Sequence, residues 1–115
     1  MERLSFAPEA ARTLANELLQ EVTVAPLTAP VVRGAPFQAA VFRIGPGGRI
    51  ARHPATVPQL LAVVDGSGWV SGDDGVETPI STGEAVIWRQ GEEHETRSDT
   101  GLTAVIIEGE GLRLP

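Results

Sequence analysis

The stretch from Gly83 to Ser98, GEAVIWRQGEEHETRS, carries one of only two histidines in the chain. Its residues 85–88 have the composition of a strand, Gly91 permits a tight reversal, and His94 follows three residues later. Imidazole is the commonest metal-ligating side chain and an acid or base near neutral pH. The chemistry of this chain therefore depends on what surrounds its two histidines.

Taken one at a time, both histidines have an ordinary explanation. His53 stands between Arg52 and Pro54, a setting typical of a solvated loop histidine. His94 stands among three glutamates, and a surface histidine there would have its charged form favoured by the carboxylates. A functional site is indicated only if a larger pattern brings the two together.

The composition excludes several kinds of chemistry. The 115-residue chain has no cysteine, lysine or tyrosine, which excludes disulfides, thiolate metal sites and tyrosine acid–base catalysis. Its net charge is -6 and its nine arginines are scattered, so we expect no nucleic-acid binding. No stretch approaches the roughly 20 apolar residues of a membrane span, and MERLSFAPEA has no signal-peptide character, so we expect a cytoplasmic protein without membrane association.

Turn residues divide the chain into the elements that must position these side chains. Apolar residues at helical spacing predict a helix from Pro8 to about Asn16, or to Leu19, packed outside a sheet. Short β runs with turn signals every ~8–12 residues follow, which predicts a sandwich or barrel in one domain, residues 1–115, with residues 1–20 as the helical segment. The predicted strands are EVTVAPL from residue 21, 36–44, 59–64, 68–71, 76–80, 84–88, 94–97 and 102–108, with turns at 45–48, 65–66, 72–75 and 99–101.

Two motifs in this order resemble those of the cupin superfamily. Gly83, Gly91 and His94 match the second cupin motif, with Arg89 in place of its proline and Ser98 in place of its asparagine. The resemblance implies an all-β jelly-roll barrel of two antiparallel sheets, with the N-terminal helix outside.

The first cupin motif is matched with more departures. His53 corresponds to the second of its two histidines, Ala51 replaces the first, and Gln59 replaces its glutamate. The chain is similar to a group of small, single-domain bacterial cupins of unsettled function through the segments HPATVPQLL, GSGWV, WRQGEEHET and GLTAVIIEG.

The resemblance implies that His53, Gln59 and His94 point into the barrel and converge. Two neutral imidazoles and an amide oxygen can hold one divalent ion, with Zn, Mn, Fe and Ni not distinguished. The neutral amide does not offset the ion's charge, and the missing carboxylate breaks the pattern of two histidines and one carboxylate used by oxygen-activating iron. Glu92 shares strand parity with His94 but lies in a turn, so it is left out of this set.

Strand alternation extends the predicted site into a ligand pocket. If Gln59 faces inward, Leu61 and Val63 face inward as well. Trp88 and Arg52 complete the predicted pocket for a small-molecule ligand, although a tryptophan is more often core packing.

The alternate residues of the same strand predict an oligomer. Leu60, Ala62 and Val64 face the opposite side of the sheet and are also apolar. A strand that is apolar on both faces is covered on both faces. The cover is either the N-terminal segment or another subunit, and we expect a homodimer.

Two function classes stay open. One is a metal-dependent enzyme on a small organic molecule, such as an oxygenase or an isomerase, and both motif histidines favour it. The other is a metal-free module that binds or senses a small ligand without catalysis. The lack of a carboxylate ligand and of lysine, cysteine and tyrosine favours this second class.

Overall fold

The computed structural model describes residues 1–29, 31, 34 and 36–115. These residues form an antiparallel β fold, which confirms the all-β prediction. The strands are β1 Leu19–Pro26, β2 Phe37–Pro54, β3 Gln59–Ser71, β4 Thr78–Ser81, β5 Ala85–Trp88, β6 Glu93–Arg97 and β7 Leu102–Gly109.

The two long strands, β2 and β3, each take part in two layers. Their first halves, 37–44 and 59–66, pair with β7, and β5 pairs with the same part of β3. In their second halves, residues 49–54 of β2 and 69–71 of β3 pair with β6, and β4 pairs with residues 67–70 of β3. One layer therefore has the order β1-β2-β7-β3-β5 and the other β2-β6-β3-β4, which confirms the jelly roll of two antiparallel sheets.

Two of the predicted turns lie inside strands. Gly45–Gly48 falls within β2 and Asp65–Gly66 within β3, where each long strand passes from one layer to the other. Gly66 has a φ of +82°, and a Cβ there would overlap the carbonyl oxygen of Gly101. The prediction that each of these turns ends its strand was wrong, because glycine here bends a paired strand without ending it.

The predicted N-terminal helix is reduced to one 3-10 turn, Pro8–Ala10. Its extension to Asn16 or beyond was wrong, since Arg12 makes a β-bridge to Val24 and β1 begins soon after. No side chain of the turn is buried, and so short a helix is marginal without packing. In the part of the chain that the structure describes, no helix is long and apolar enough to cross a membrane.

The core fills the space between the two layers. Every strand except β6 contributes to it among the described residues. The inward residues of β6 are polar instead: His94 and Thr96 are each 2% exposed, and Ser98 just beyond the strand is 1% exposed. The buried cluster consists of Val22, Val24, Ala40, Ile44, Ile50, Leu61, Val63, Val70, Ile80, Trp88, Leu102, Ala104 and Ile106.

Candidate functional site

His53 and His94 face each other across β2 and β6. They are register partners, and their ring centroids lie 4.4 Å apart with the planes at 51°. The register shifts between Ile50 and His53, because β2 has one residue more here than the part of β6 that pairs with it. Simple alternation from the inward Ile50 would send His53 to the outer face, and the extra residue returns it to the interior.

One nitrogen of each ring is bonded to the backbone. Nδ1 of His53 lies 2.7 Å from the carbonyl oxygen of Ala51, and Nδ1 of His94 lies 3.2 Å from that of Glu92. A carbonyl oxygen only accepts hydrogen bonds, so Nδ1 carries the hydrogen in both rings. In its neutral form each ring therefore has a lone pair on Nε2, which is the arrangement of a metal-binding histidine.

The Nε2 atom of His94 is buried and has no hydrogen-bond partner among the described residues. An unsatisfied buried polar atom costs about 1–3 kcal/mol and calls for a physical explanation such as an ion. The ring spacing fits such an ion. With metal–nitrogen distances of about 2.1 Å, two imidazoles that meet one ion at a right angle have centroids about 4.5 Å apart.

Burial lowers the pKa of His94 below its ordinary value, and the nearby His53 ring lowers it further. The backbone bond to Glu92 and the charges of Glu92 and Glu93 raise the pKa but are outweighed. The interpretation of His94 as a charged surface histidine was therefore wrong, because desolvation exceeds the attraction of the glutamates. The ring is neutral at neutral pH, as a metal ligand must be.

Gln59, the third predicted ligand, is held by a residue that the sequence analysis missed. Its Nε2 donates to Oε1 of Glu108 at 2.5 Å, and the two are register partners on β3 and β7. The bond uses Nε2 and leaves Oε1, the atom that a metal would bind. Glu108 has the inward parity of Ile106, so the alternation of β7 was a signal that could have identified it.

No third histidine, aspartate or glutamate joins the pair to form a metal-binding group within the described ranges. Glu92, which shares strand parity with His94, instead accepts a hydrogen bond from the backbone nitrogen of Arg89 at 3.0 Å. The donor atoms of His53 and His94 thus fit one ion, whereas the contact of Gln59 with Glu108 is its only side-chain hydrogen bond in the described structure.

Trp88 forms a wall beside the histidine pair. Its indole stacks on the His94 ring, with centroids 4.5 Å apart and planes at 28°. Its Nε1 donates to the carbonyl oxygen of Ser71 at 3.1 Å, which ties β5 to the end of β3. Both partners fix the orientation of a side chain that is only 2% exposed.

Beyond Trp88 lies a cleft of about 590 Å³ between β4 and β5. Its inner wall is apolar, and its rim carries four carboxylates and one guanidinium. A volume of this size suits a small organic ligand. The wall consists of Val70, Ile80, Val86 and Trp88, and the charged rim of Asp73, Asp74, Glu84, Arg89 and Glu92.

The residues predicted for a ligand pocket are not all brought together. Trp88 lines the cleft, whereas Leu61 and Val63 point inward but pack in the core at 1% and 3% exposure. Arg52 is exposed, and its Nη2 donates to the carbonyl oxygen of Asp73 at 3.0 Å. Arg52 thus lies beside the rim of the cleft and outside the barrel.

Residues 40–110, more than half of the chain, match the family model of the cupin domain. None of the curated proteins matches the chain. Family membership is therefore shown by the family model, and the fold by comparison with solved structures.

Several solved structures share this fold at low sequence identity. The polyketide cyclase RemF from Streptomyces resistomycificus superposes with a TM-score of 0.80 at 18% identity, over 100% of this chain and 87% of that one. An RmlC-like cupin from Shewanella frigidimarina gives a TM-score of 0.74 at 16% identity, over 96% and 93%. A protein from Thermotoga maritima described as a predicted oxalate decarboxylase gives 0.64 at 19% identity, over 75% and 77%. Such different activities on one fold leave the function to be argued from the site.

Proposed function

The chain belongs to the cupin domain family, and we propose that its barrel binds a small organic molecule and holds one divalent metal ion between His53 and His94. The main support for a bound ion is the buried Nε2 of His94, which lacks a partner among the residues described. The main support for an organic ligand is the cleft on the other side of Trp88.

The two histidines would bind the ion through Nε2, which carries no proton in the neutral rings, so no proton has to be displaced. Both Nδ1 atoms donate to backbone carbonyls, so the Nε2 atom of each ring is an acceptor when the ring is neutral, and that of His94 is buried. Glu108 orients the amide of Gln59 through Nε2, which leaves Oε1 as a weak third ligand. When bound, a divalent ion acts as a Lewis acid toward carbonyl oxygens or water.

Metal analysis of untagged protein tests the ion. After dialysis against zinc, manganese, iron(II) or nickel, we expect about one ion per chain in the wild type, and none in the His53→Ala/His94→Ala protein. Thr96→Val is the matched control, because Thr96 is the next inward residue of β6 and has no imidazole. Wild-type protein that retains no more metal than the double variant would contradict the proposal.

A metal-free binding module is the second candidate. It is favoured by the lack of a third histidine or carboxylate at the pair within the described ranges, and by the wall that Trp88 places between the pair and the cleft. Ligand binding that is unchanged by a chelator and by replacement of both histidines would select this candidate over a metal-dependent enzyme.

We also propose a homodimer formed through the outer face of β3. Val64 is 52% exposed there, next to the half-buried Leu60 and Ala62. The N-terminal segment lies elsewhere, since Arg43 of β2 donates to the carbonyl oxygen of Phe6 at 2.9 Å. Light scattering at micromolar concentration should give twice the chain mass and Val64→Glu the single mass, whereas a monomeric wild type would contradict the dimer.

A further inference from the structure

The cleft exists because β4 and β5 follow each other in the chain but belong to different layers. Among the described strands, β4 pairs only with residues 67–70 of β3 and β5 only with residues 59–62. The turn at 82–84 joins them, and the two layers separate beyond it. One edge of each strand is thus left without a strand partner beside an opening that reaches the core.

The lining of this opening combines an apolar wall with a negative rim. Val70, Ile80 and Trp88 are core residues that form the floor of the cleft, and the half-buried Val86 adds accessible apolar surface. Four carboxylates and one guanidinium surround the entrance, so the rim is negative at neutral pH. Arg89, the guanidinium, has a side chain that is 88% exposed and lies 3.9 Å from Glu92.

Two of the carboxylates are fixed in place by short bonds to nearby residues. Oδ1 of Asp74 accepts from the nitrogen of Val76 at 2.9 Å. Oε1 of Glu84 accepts from the nitrogen and the hydroxyl of Ser81 at 2.9 and 3.0 Å. Each bond occupies one carboxylate oxygen, and neither Asp74 nor Glu84 forms a salt bridge with another described residue. The carboxylates of Asp74 and Glu84 therefore hold oriented negative charge that no salt bridge within the described residues neutralises.

We propose that the cleft binds an organic cation, namely a protonated or quaternary amine carried on an apolar body. The apolar body would cover the wall that includes Val70, Ile80 and Trp88, and the ammonium group would lie at the carboxylate rim. An anionic ligand of the same shape would be repelled. This proposal rests on the proposed small-molecule binding and is independent of the ion at the histidine pair.

Fluorescence of Trp88 provides the test. The chain has two tryptophans, so Trp69→Phe leaves Trp88 as the only reporter. The probes are 2-phenylethylamine, 2-phenylethanol and 3-phenylpropanoate, which share an apolar body and differ in charge. At low ionic strength we expect saturable binding of the amine about tenfold tighter than that of the alcohol, no binding of the carboxylate, and a smaller advantage of the amine in high salt.

A pair of charge-removing variants locates the effect. Asp74→Asn/Glu84→Gln keeps the oxygens that accept the local bonds but removes two charges from the rim, and we expect about a tenfold loss of amine affinity. Glu9→Gln/Asp65→Asn removes two exposed charges outside the cleft and is the matched control, for which we expect little change.

The possible results separate the preference for a cation from small-molecule binding in the cleft. Equal affinity for the amine and the alcohol, or an equal loss in the control, would overturn the organic cation while small-molecule binding stands. A Trp88 signal that responds to none of the three probes would overturn the cleft as a binding site. The metal content of the wild-type protein tests the ion separately.

Discussion

The two sides of Trp88 offer opposite surroundings within one barrel. On one side its ring stacks on His94, a 2% exposed imidazole whose pKa is lowered by burial. On the other side is an open cleft of about 590 Å³ with four carboxylates at its rim. The imidazole on one side is buried, whereas the cleft on the other side is open and has a negative rim.

Strand pairing explains the difference. The histidine pair lies between β2 and β6, which are bonded to each other, and burial there lowers the pKa of His94. The cleft lies between β4 and β5, which in the described structure pair only with β3, so charged side chains at its rim keep contact with water. A buried histidine pair and an open cleft with a charged rim can thus share one core when a single indole lies between them.

Removal of Trp88 is the strongest way to break this separation. Trp88→Ala should lower the free energy of unfolding by about 3–5 kcal/mol, since it opens a cavity next to His94 and removes the bond to Ser71. Denaturant unfolding measures the loss. Trp69→Ala is the matched control, because Trp69 is only half-buried with Arg97 over its ring at 5.2 Å, and an equal loss in both variants would contradict the role of Trp88.

Variants that alter the charge at Gln59 on β3 and Glu108 on β7 test the role of the contact between these two side chains. Gln59→Glu alone restores the glutamate of the cupin motif, and the sequence predicts tighter metal binding from it. In the structure this change would place two carboxylates in contact, so we expect a loss of about 1–2 kcal/mol of unfolding free energy at neutral pH.

The double variant Gln59→Glu/Glu108→Gln should recover that stability, because the amide and the carboxylate exchange places and keep one bond. It should also retain more metal than the wild type, since it presents a charged ligand at position 59. A single Gln59→Glu protein as stable as the wild type would show that the contact with Glu108 has no energetic role.

The pH dependence of stability is the smallest expected effect. The lowered pKa of His94 means that the unfolded chain binds a proton more readily than the folded one below about pH 6.5. In the presence of a chelator, stability should therefore fall as the pH decreases from about 6.5 toward 5, by at most about 1.4 kcal/mol per pH unit. His94→Gln should flatten this part of the curve, and an unchanged slope would contradict the assignment to His94.

The convergence of the histidines could be predicted because their motifs resemble those of the cupin superfamily, but their surroundings could not. Gln59 and Glu108 are 49 residues apart, and their contact depends on the register of β3 against β7, which no local pattern determines. Glu92 and Glu93 indicated a charged His94 because sequence shows neighbours but not burial. The cleft depends on β4 and β5 joining different layers, which also has no local signal.

The β class and most strand positions followed from alternation and turn residues, as in β7, where the predicted 102–108 becomes Leu102–Gly109. Glycine signals were misinterpreted where they bend long strands, and the helical spacing of residues 11–19 was overridden by the bridge from Arg12 to Val24 and by the start of β1 at Leu19. The cytoplasmic location and the lack of nucleic-acid binding stay predictions.

Quenching of Trp88 by nickel tests the ion most directly, because the indole stacks on the ring proposed as its ligand. In Trp69→Phe protein, Ni²⁺ should quench the remaining fluorescence with a saturating stoichiometry of about one ion per chain. Addition of His53→Ala and His94→Ala should abolish the quenching, whereas addition of Thr96→Val should preserve it. Quenching that is equal with and without the two histidines, or absent from the parent protein, would contradict a metal site at the histidine pair.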